Sequence, residues 1–329
     1  MPWSFDDILG QHEATTRFRR EFALGRLAHA YMLEGARGVG KTTFAHALAA
    51  RRLCMNPDTA AENACGACKS CRMLANNAHP DYLELPREPA ELRLGRFVER
   101  SGGEPINHEP LLPFLRLRPV EGEWRVAVIP DAERMRPEAA NAFLKTLEEP
   151  PGNALIILTV NARDRLPATV ASRCRRIGIA PLAPDTLAGE LEKRGIASGN
   201  DALDLALAAE GSLGTARELS GGDTVELWRR LSTDVFENPG ALAARKFADL
   251  LQNYGGGEND NAGKRKNALA ALDLAALALR RKMRHGLEPN RAETALAALW
   301  TAADQIVKNI RPDLALLSAA FEVMAALRK

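Results

Sequence analysis

Apolar runs and helical stripes alternate along the first half of the chain. Five short apolar runs, His29–Glu34, Tyr82–Leu85, Trp124–Ile129, Leu155–Val160 and Arg175–Ile179, predict strands. Helical patterns lie between them. Thr42–Leu53 is rich in Ala and Leu, and Pro137–Leu147 sets Ala140, Phe143, Leu144 and Leu147 on one face. Strands separated by helices predict an α/β core: a five-stranded, mainly parallel sheet with helices on both faces. The stretch Pro86–Pro119, rich in Arg, Pro and Gly, breaks the alternation. It predicts a surface loop and one helix near Leu111–Leu117, and no chemistry is assigned to it.

After Ile179 the strand pattern stops. Pro181 and Pro184 mark a break, and Asp185–Arg194, Asp201–Glu210 and Leu213–Leu219 predict short helices. From Asp223 to the end the pattern is helical, with one interruption expected at Tyr254–Gly263, a run of Gly, Asn and acids. Long Ala/Leu segments such as Asn267–Met283 predict a packed helical module or an oligomerisation surface. The expected domains are 1–179, 180–222 and 223–329.

Composition narrows the picture. A chain of 329 residues exceeds what a single core usually spans. Its 46% hydrophobic and 26% charged residues are ordinary for a globular protein. With 44 basic and 42 acidic side chains there is no global basic footprint, so any meeting with DNA would be local or made by a larger assembly. No apolar run has the length of a membrane span. Met1–Asp7 carries acid where a signal peptide carries basic charge, so the expected location is cytoplasmic.

Two motifs carry chemistry. Gly35-Ala36-Arg37-Gly38-Val39-Gly40-Lys41-Thr42 fits the G-x-x-x-x-G-K-[ST] pattern, with a strand before it and a helix after. Backbone N–H groups and a helix N-terminus would wrap a phosphate there. Gly35, Arg37, Gly38, Val39, Gly40, Lys41, Thr42 and Thr43 are the expected contacts, with Lys41 on the β- and γ-phosphates and Thr42 on Mg²⁺. Hydrolysis also needs carboxylates at the end of a neighbouring strand. That strand here ends Ile129-Pro130-Asp131-Ala132-Glu133, with the acids separated and a proline in place of one. Asp131 would contact Mg²⁺, and Glu133 reads as a solvated charge at a helix start. The expectation is ATP binding with weak or absent hydrolysis.

The second motif is Cys54-x10-Cys65-x2-Cys68-x2-Cys71, four of the five cysteines. In a reducing compartment such a cluster points to metal. Four thiolates leave no open position, so a structural Zn²⁺ is expected, with an iron–sulfur cluster as the alternative. His79 is a conceivable substitute ligand, and Cys174 reads as packing.

Together these motifs resemble the AAA+ clamp-loader family. The resemblance runs from Phe5-Asp6-Asp7-Ile8-Leu9-Gly10-Gln11 through the phosphate loop, the cysteines and His79-Pro80-Asp81-Tyr82. It continues to Leu144-Lys145-Thr146-Leu147-Glu148-Glu149-Pro150-Pro151 and ends at Ser172-Arg173-Cys174. It implies an all-α lid over 180–222 and an all-α collar over 223–329, in a five-subunit ring that opens a sliding clamp and closes it on primed DNA. It implies Arg173 as a finger acting in trans on ATP bound by a neighbour. It also implies Ile8 near the adenine and Thr159 or Asn161 as the sensor near the γ-phosphate. Gly214 stands where an ATPase subunit of the family would carry a second-sensor arginine. With the interrupted acids and the short C-terminal region, that departure resembles the delta-prime branch. Tau/gamma and delta subunits are then the expected partners. A catalytic tau/gamma-type ATPase and a zinc-stabilised nucleotide switch outside replication are the competing expectations.

Overall fold

The computed structural model describes residues 4–56, 63–87, 91–98, 110–161, 166–220, 222–236, 239–254, 261–284 and 286–328. The chain divides into two compact units, Met1–Leu182 and Ala183–Lys329.

The first unit is built on five parallel strands: β1 (Ala30–Glu34), β2 (Tyr82–Glu84), β3 (Arg125–Ile129), β4 (Ala154–Val160) and β5 (Arg175–Gly178). Their spatial order is β2-β3-β4-β1-β5. All pairings are parallel, with Met32 opposite Leu158 and Arg176, and Val126 opposite Tyr82 and Leu155. Every residue of β3 and β4 is buried, as expected of strands covered on both faces. Side-chain alternation decides which face each residue serves. Met32, Ala127, Ile129, Ile156 and Leu158 pack with α4 (Leu111–Arg116), α5 (Pro137–Glu148) and α6 (Ala168–Ala171). Tyr31, Leu33, Val126, Val128, Leu155 and Ile157 pack with α1 (His12–Ala23) and α2 (Lys41–Leu53). Because the sheet is parallel, the segments following β1, β3 and β4 leave from one edge of it. Clefts at that edge are where open α/β sheets bind ligands.

Two helices of this unit were not expected. One is α1. The other is α3 (Lys69–Ala75), which begins directly after Cys68, where only turns were foreseen.

The second unit is helical throughout its described residues. It contains α7 (Pro184–Lys193), α8 (Gly199–Ala208), α9 (Leu213–Leu219), α10 (Gly222–Arg230), α11 (Ala241–Gln252), α12 (Asn261–Arg284), α13 (Pro289–Val307) and α14 (Pro312–Arg328). One core runs from Ala208 on α8 to Leu327 on α14. Arg229 on α10 ties back to Asp201 and Asp204 on α8, at 2.5 and 3.1 Å. The C-terminal half breaks more often than the single interruption expected. Further breaks fall at Pro239-Gly240, at Gly286 and at Asn309, just ahead of Pro312. Gly286 and Asn309 take left-handed φ values of 108° and 70°, which end a helix without Cβ strain only in Gly or, next best, Asn.

Candidate functional site: a phosphate loop facing a ligated carboxylate pair

The chain leaves β1 at Glu34 and turns through Gly35–Gly40 into α2. Two glycines explain the turn. A Cβ on Gly35 would stand 2.3 Å from the Ile179 carbonyl oxygen, so no larger residue fits. Gly40, the N-cap of α2, has φ 100°, a region open to glycine at little cost. Lys41 follows, with its side chain folded back and only 5% of the residue exposed. Its Nζ donates to the carbonyls of Gly35 (2.9 Å) and Ala36 (2.7 Å) and to Asn161 Oδ1 (2.8 Å). Burial pushes its ammonium below the ordinary lysine range, while Asp131 and Glu133 oppose that shift. Val39 is buried in the core, whereas Arg37 and Thr43 are exposed.

Asn161, just past β4, is the hub. It accepts from Lys41, and its Nδ2 donates to Asp131 Oδ1 (3.0 Å) and Glu133 Oε1 (2.7 Å). Its backbone N–H also donates to Glu133 Oε1, at 3.0 Å. Thr159, fully buried, accepts from the Asp131 N–H at 3.0 Å. Glu133 is therefore turned into the site and is not the solvated charge expected from sequence. Its Oε2 is buried and has no partner among the described residues. Pro130 and the left-handed Asp131 (φ 49°) swing the segment so that acids two positions apart converge on one amide.

Arg87 completes the cluster, from a stretch to which no chemistry was assigned. Its Nη1 donates to Asp131 Oδ2 and its Nη2 to Thr42 Oγ1, both at 2.6 Å. The donor set suits a nucleotide with a hard divalent ion: loop N–H groups, a lysine, a hydroxyl, carboxylate oxygens and an orphaned carboxylate atom.

The N-terminal segment closes the same edge. Gln11 pairs with the backbone of Ala180 in both directions, donating at 2.6 Å and accepting at 3.0 Å. Ile8 is half-buried against the core that α1 and α2 share with the sheet.

The four cysteines also converge. Their Sγ atoms all lie within 4.8 Å of one another, with Cys54–Cys68 and Cys65–Cys71 at 4.0 Å. Tetrahedral Zn–S bonds of about 2.3 Å require S–S edges of about 3.8 Å, so the cluster could hold one such ion. Backbone N–H groups of Cys65, Cys68 and Cys71 point at the sulfurs of Cys54, Cys65 and Cys68 at 3.3–3.4 Å. Burial raises the Cys68 thiol, yet N–H groups of Cys71 and Met55 outweigh it and bring it down to about 6. His79 is no ligand. Its Nε2 meets Ser70 Oγ at 2.8 Å and its Nδ1 accepts from the Asp81 N–H at 3.0 Å. Cys174 packs beside the core, and burial pushes its thiol up to about 12.

Arg173 belongs to the other end of the sheet. It sits two residues before β5 begins, and β5 runs parallel to β1. The phosphate loop follows the far end of β1, a strand of five residues and so roughly 16 Å long. At its own end, Arg173 donates to Glu148 Oε1 (2.5 Å) and the Thr169 carbonyl (2.9 Å), with a third of its side chain exposed.

A protein-family model described as "DNA polymerase III, delta subunit" matches residues 10–183. The chain belongs to the DNA polymerase III clamp-loader family. It is 33% identical over 224 residues to DNA polymerase III subunit tau of Escherichia coli strain K12, covering 67% of this chain and 33% of that protein. It is 40% identical over 147 residues to subunit delta' of Pseudomonas aeruginosa, covering 45% and 42%. It is 32% identical over 226 residues to subunit delta' of E. coli K12, covering 68% and 61%. The matches thus span less than two thirds of each of these relatives. The five-stranded parallel sheet with helices on both faces is the α/β core expected from the sequence.

Within this clamp-loader fold, the structure gathers Lys41, Thr42, Asp131 and Thr159 into one hydrogen-bonded cluster, and brings Asn161 and Glu133 with them. Arg173 and the cysteines lie apart from that cluster in the bonding pattern. Gly214 lies on α9, in the second unit. Among the described residues, no helix is long and apolar enough to cross a membrane.

Proposed function

We propose that this chain is a delta-prime-type clamp-loader subunit. It holds a nucleotide at the phosphate loop, hydrolyses it poorly, and supplies Arg173 in trans to the ATP of a neighbouring tau/gamma subunit. The observation that carries the reading is the position of Arg173: partly exposed, and at the sheet edge opposite its own phosphate loop. From there Arg173 does not reach its own phosphate loop, so any nucleotide it serves belongs to another chain. The relatives include both tau and delta' subunits at similar identity, so named residues must choose between them. Pro130, the separated acids and Gly214 favour delta-prime over a catalytic tau/gamma-type ATPase.

In this reading Lys41 gives up its loop carbonyls to phosphate oxygens, and Thr42 and Asp131 supply oxygens on the metal side. Mg²⁺ would neutralise phosphate charge there only where Arg87 releases both oxygens. Thr159 fixes Asp131 through its N–H, and Asn161 carries the state of Lys41 to Glu133. Glu133 takes both bonds from Asn161 on one oxygen, and its other oxygen is buried. The cysteines would hold structural Zn²⁺. The proposed partners are tau/gamma and delta subunits, with the sliding clamp and primed DNA met through the complex. Residues 180–222 would form the lid and 223–329 the collar, and the setting would be cytoplasmic.

The test is clamp- and DNA-stimulated ATP hydrolysis by a complex reconstituted with tau/gamma and delta. Arg173→Ala should leave assembly intact and cut the rate, with fingers of this kind worth ~10³–10⁵ in rate. An unchanged rate in an intact complex overturns the finger. Turnover by the purified chain, abolished by Lys41→Ala, would instead favour the tau/gamma type.

A further inference from the structure

Arg87 makes a built contact. Its guanidinium bridges Thr42 Oγ1 and Asp131 Oδ2 through two hydrogen bonds of 2.6 Å. These are the oxygens that the nucleotide reading, on which this inference rests, gives to Mg²⁺. The backbone that carries Arg87 is stitched to the exit of β3. Arg134 donates to the carbonyls of Arg87, Pro130 (3.1 Å) and Asp131 (3.2 Å). Beyond it, Leu92 pairs with Arg134 and Arg136 through backbone bonds of 3.0 Å, and Arg136 forks onto Glu91 at 2.8 and 2.9 Å. The carbonyl of Arg87 is thus tied, through Arg134, to the segment that carries Asp131.

A guanidinium keeps its charge at any physiological pH and presents donors in a planar fork. Mg²⁺ demands oxygens at about 2.0–2.1 Å in octahedral array. On Thr42 and Asp131 it would compete for the same lone pairs, a few ångströms from a permanent positive charge in a partly buried site. Mg²⁺ could take those lone pairs only by displacing the guanidinium.

We propose that Arg87 is a nucleotide-site residue standing in for the divalent cation. It bridges Thr42 and Asp131 and offers its further N–H donors to the phosphates, so that this chain binds nucleotide largely without Mg²⁺. The bound state is then insensitive to the ion that a hydrolysing subunit requires.

The test is calorimetric titration of the full chain with ADP, in Mg²⁺ or in EDTA. Wild type should bind within about threefold in the two buffers, whereas Arg87→Ala should bind about tenfold or more weakly in EDTA than in Mg²⁺. Arg87→Lys keeps the charge without the fork and should fall between them. A wild type that weakens more than about tenfold in EDTA, with Arg87→Ala weakening equally, overturns the proposal. Wild type and Lys41→Ala both failing to bind ADP in either buffer would sink the nucleotide reading itself, and this inference with it. Half of the Arg87 side chain is exposed and its partners stay solvent-accessible, so the alanine variant should fold.

Discussion

Lys41 and Asn161 meet at 2.8 Å, and through that one amide the lysine of the phosphate loop is joined to both carboxylates after β3. The link matters because every group in it is partly or fully withdrawn from water. Removing the amide leaves an ammonium and two carboxylates each short of a partner, while the backbone N–H of residue 161 keeps its bond to Glu133.

Asn161→Ala should therefore destabilise the chain by about 1–3 kcal/mol, the usual penalty for stranding buried polar partners. Asn161→Asp should cost more near neutral pH, since it sets a third carboxylate against Asp131 and Glu133, and should recover on mild acidification. Chemical denaturation of the three proteins at two pH values tests this. Equal stability of all three would mean the network is open to water and carries little energy.

Much of the first unit is readable from its residues. A sheet covered on both faces needs near-continuous apolar strands, so five apolar runs locate five strands within a residue or two. α1 escaped because its stripe is thin: Ala14 and Phe18 are buried among Arg17, Arg19 and Arg20. α3 escaped because it is seven residues long and is started by a thiol, with Cys68 Sγ accepting the Cys71 N–H. Glu133 was misread because its direction depends on the left-handed turn at Asp131, which spacing alone does not reveal. Arg87 carries no motif. Only contacts of Arg87 and Leu92 with the segment after β3, more than forty positions away, bring it to Thr42.

Gly35 gives a sharper steric prediction. A methyl group there would press on the Ile179 carbonyl at 2.3 Å, and that oxygen belongs to backbone held by the Ile179 N–H bond to Glu34. It cannot move without loosening β5 from β1. Gly35→Ala should cost about 1–3 kcal/mol and also weaken nucleotide binding. Gly178→Ala, where an added Cβ meets nothing within 4 Å, is the matched control. Similar melting temperatures for the two variants would contradict the contact.

Acid sensitivity should trace in part to Glu84, at the end of β2. Its Oε2 lies 2.7 Å from His46 Nε2 and accepts from the Tyr82 hydroxyl at 2.8 Å. Burial raises this carboxyl, but the contacts with His46 and Tyr82, and the charge of Arg87, hold it below its ordinary 4.5. A depressed folded value means that the unfolded chain takes up the proton first. Stability from Glu84 is therefore complete above pH 4.5 and is lost as pH falls through the lower folded value. Acid unfolding of Glu84→Gln should be shallower below pH 4.5 than that of wild type. Superimposable acid limbs would show that Glu84 contributes nothing to it.

The cysteine module makes the last prediction. Cys54 ends α2, Cys68 caps α3, and Ser70 Oγ ties α3 back to the Leu53 carbonyl at 2.6 Å. A bound ion would join the end of α2 to the start of α3, so local order there should depend on it. Structural zinc sites of this type bind with an apparent ~10–16 kcal/mol near neutral pH, and that energy is available to folding. The chain should carry one zinc ion, measured by elemental analysis. Cys68→Ser or a strong chelator should lower the melting temperature and open residues 54–75 to protease, with protection restored by added Zn²⁺ after chelation. Iron with visible absorption would replace zinc by an iron–sulfur cluster. Four titratable thiols, no metal, and a melt indifferent to chelator would reduce the cluster to packing.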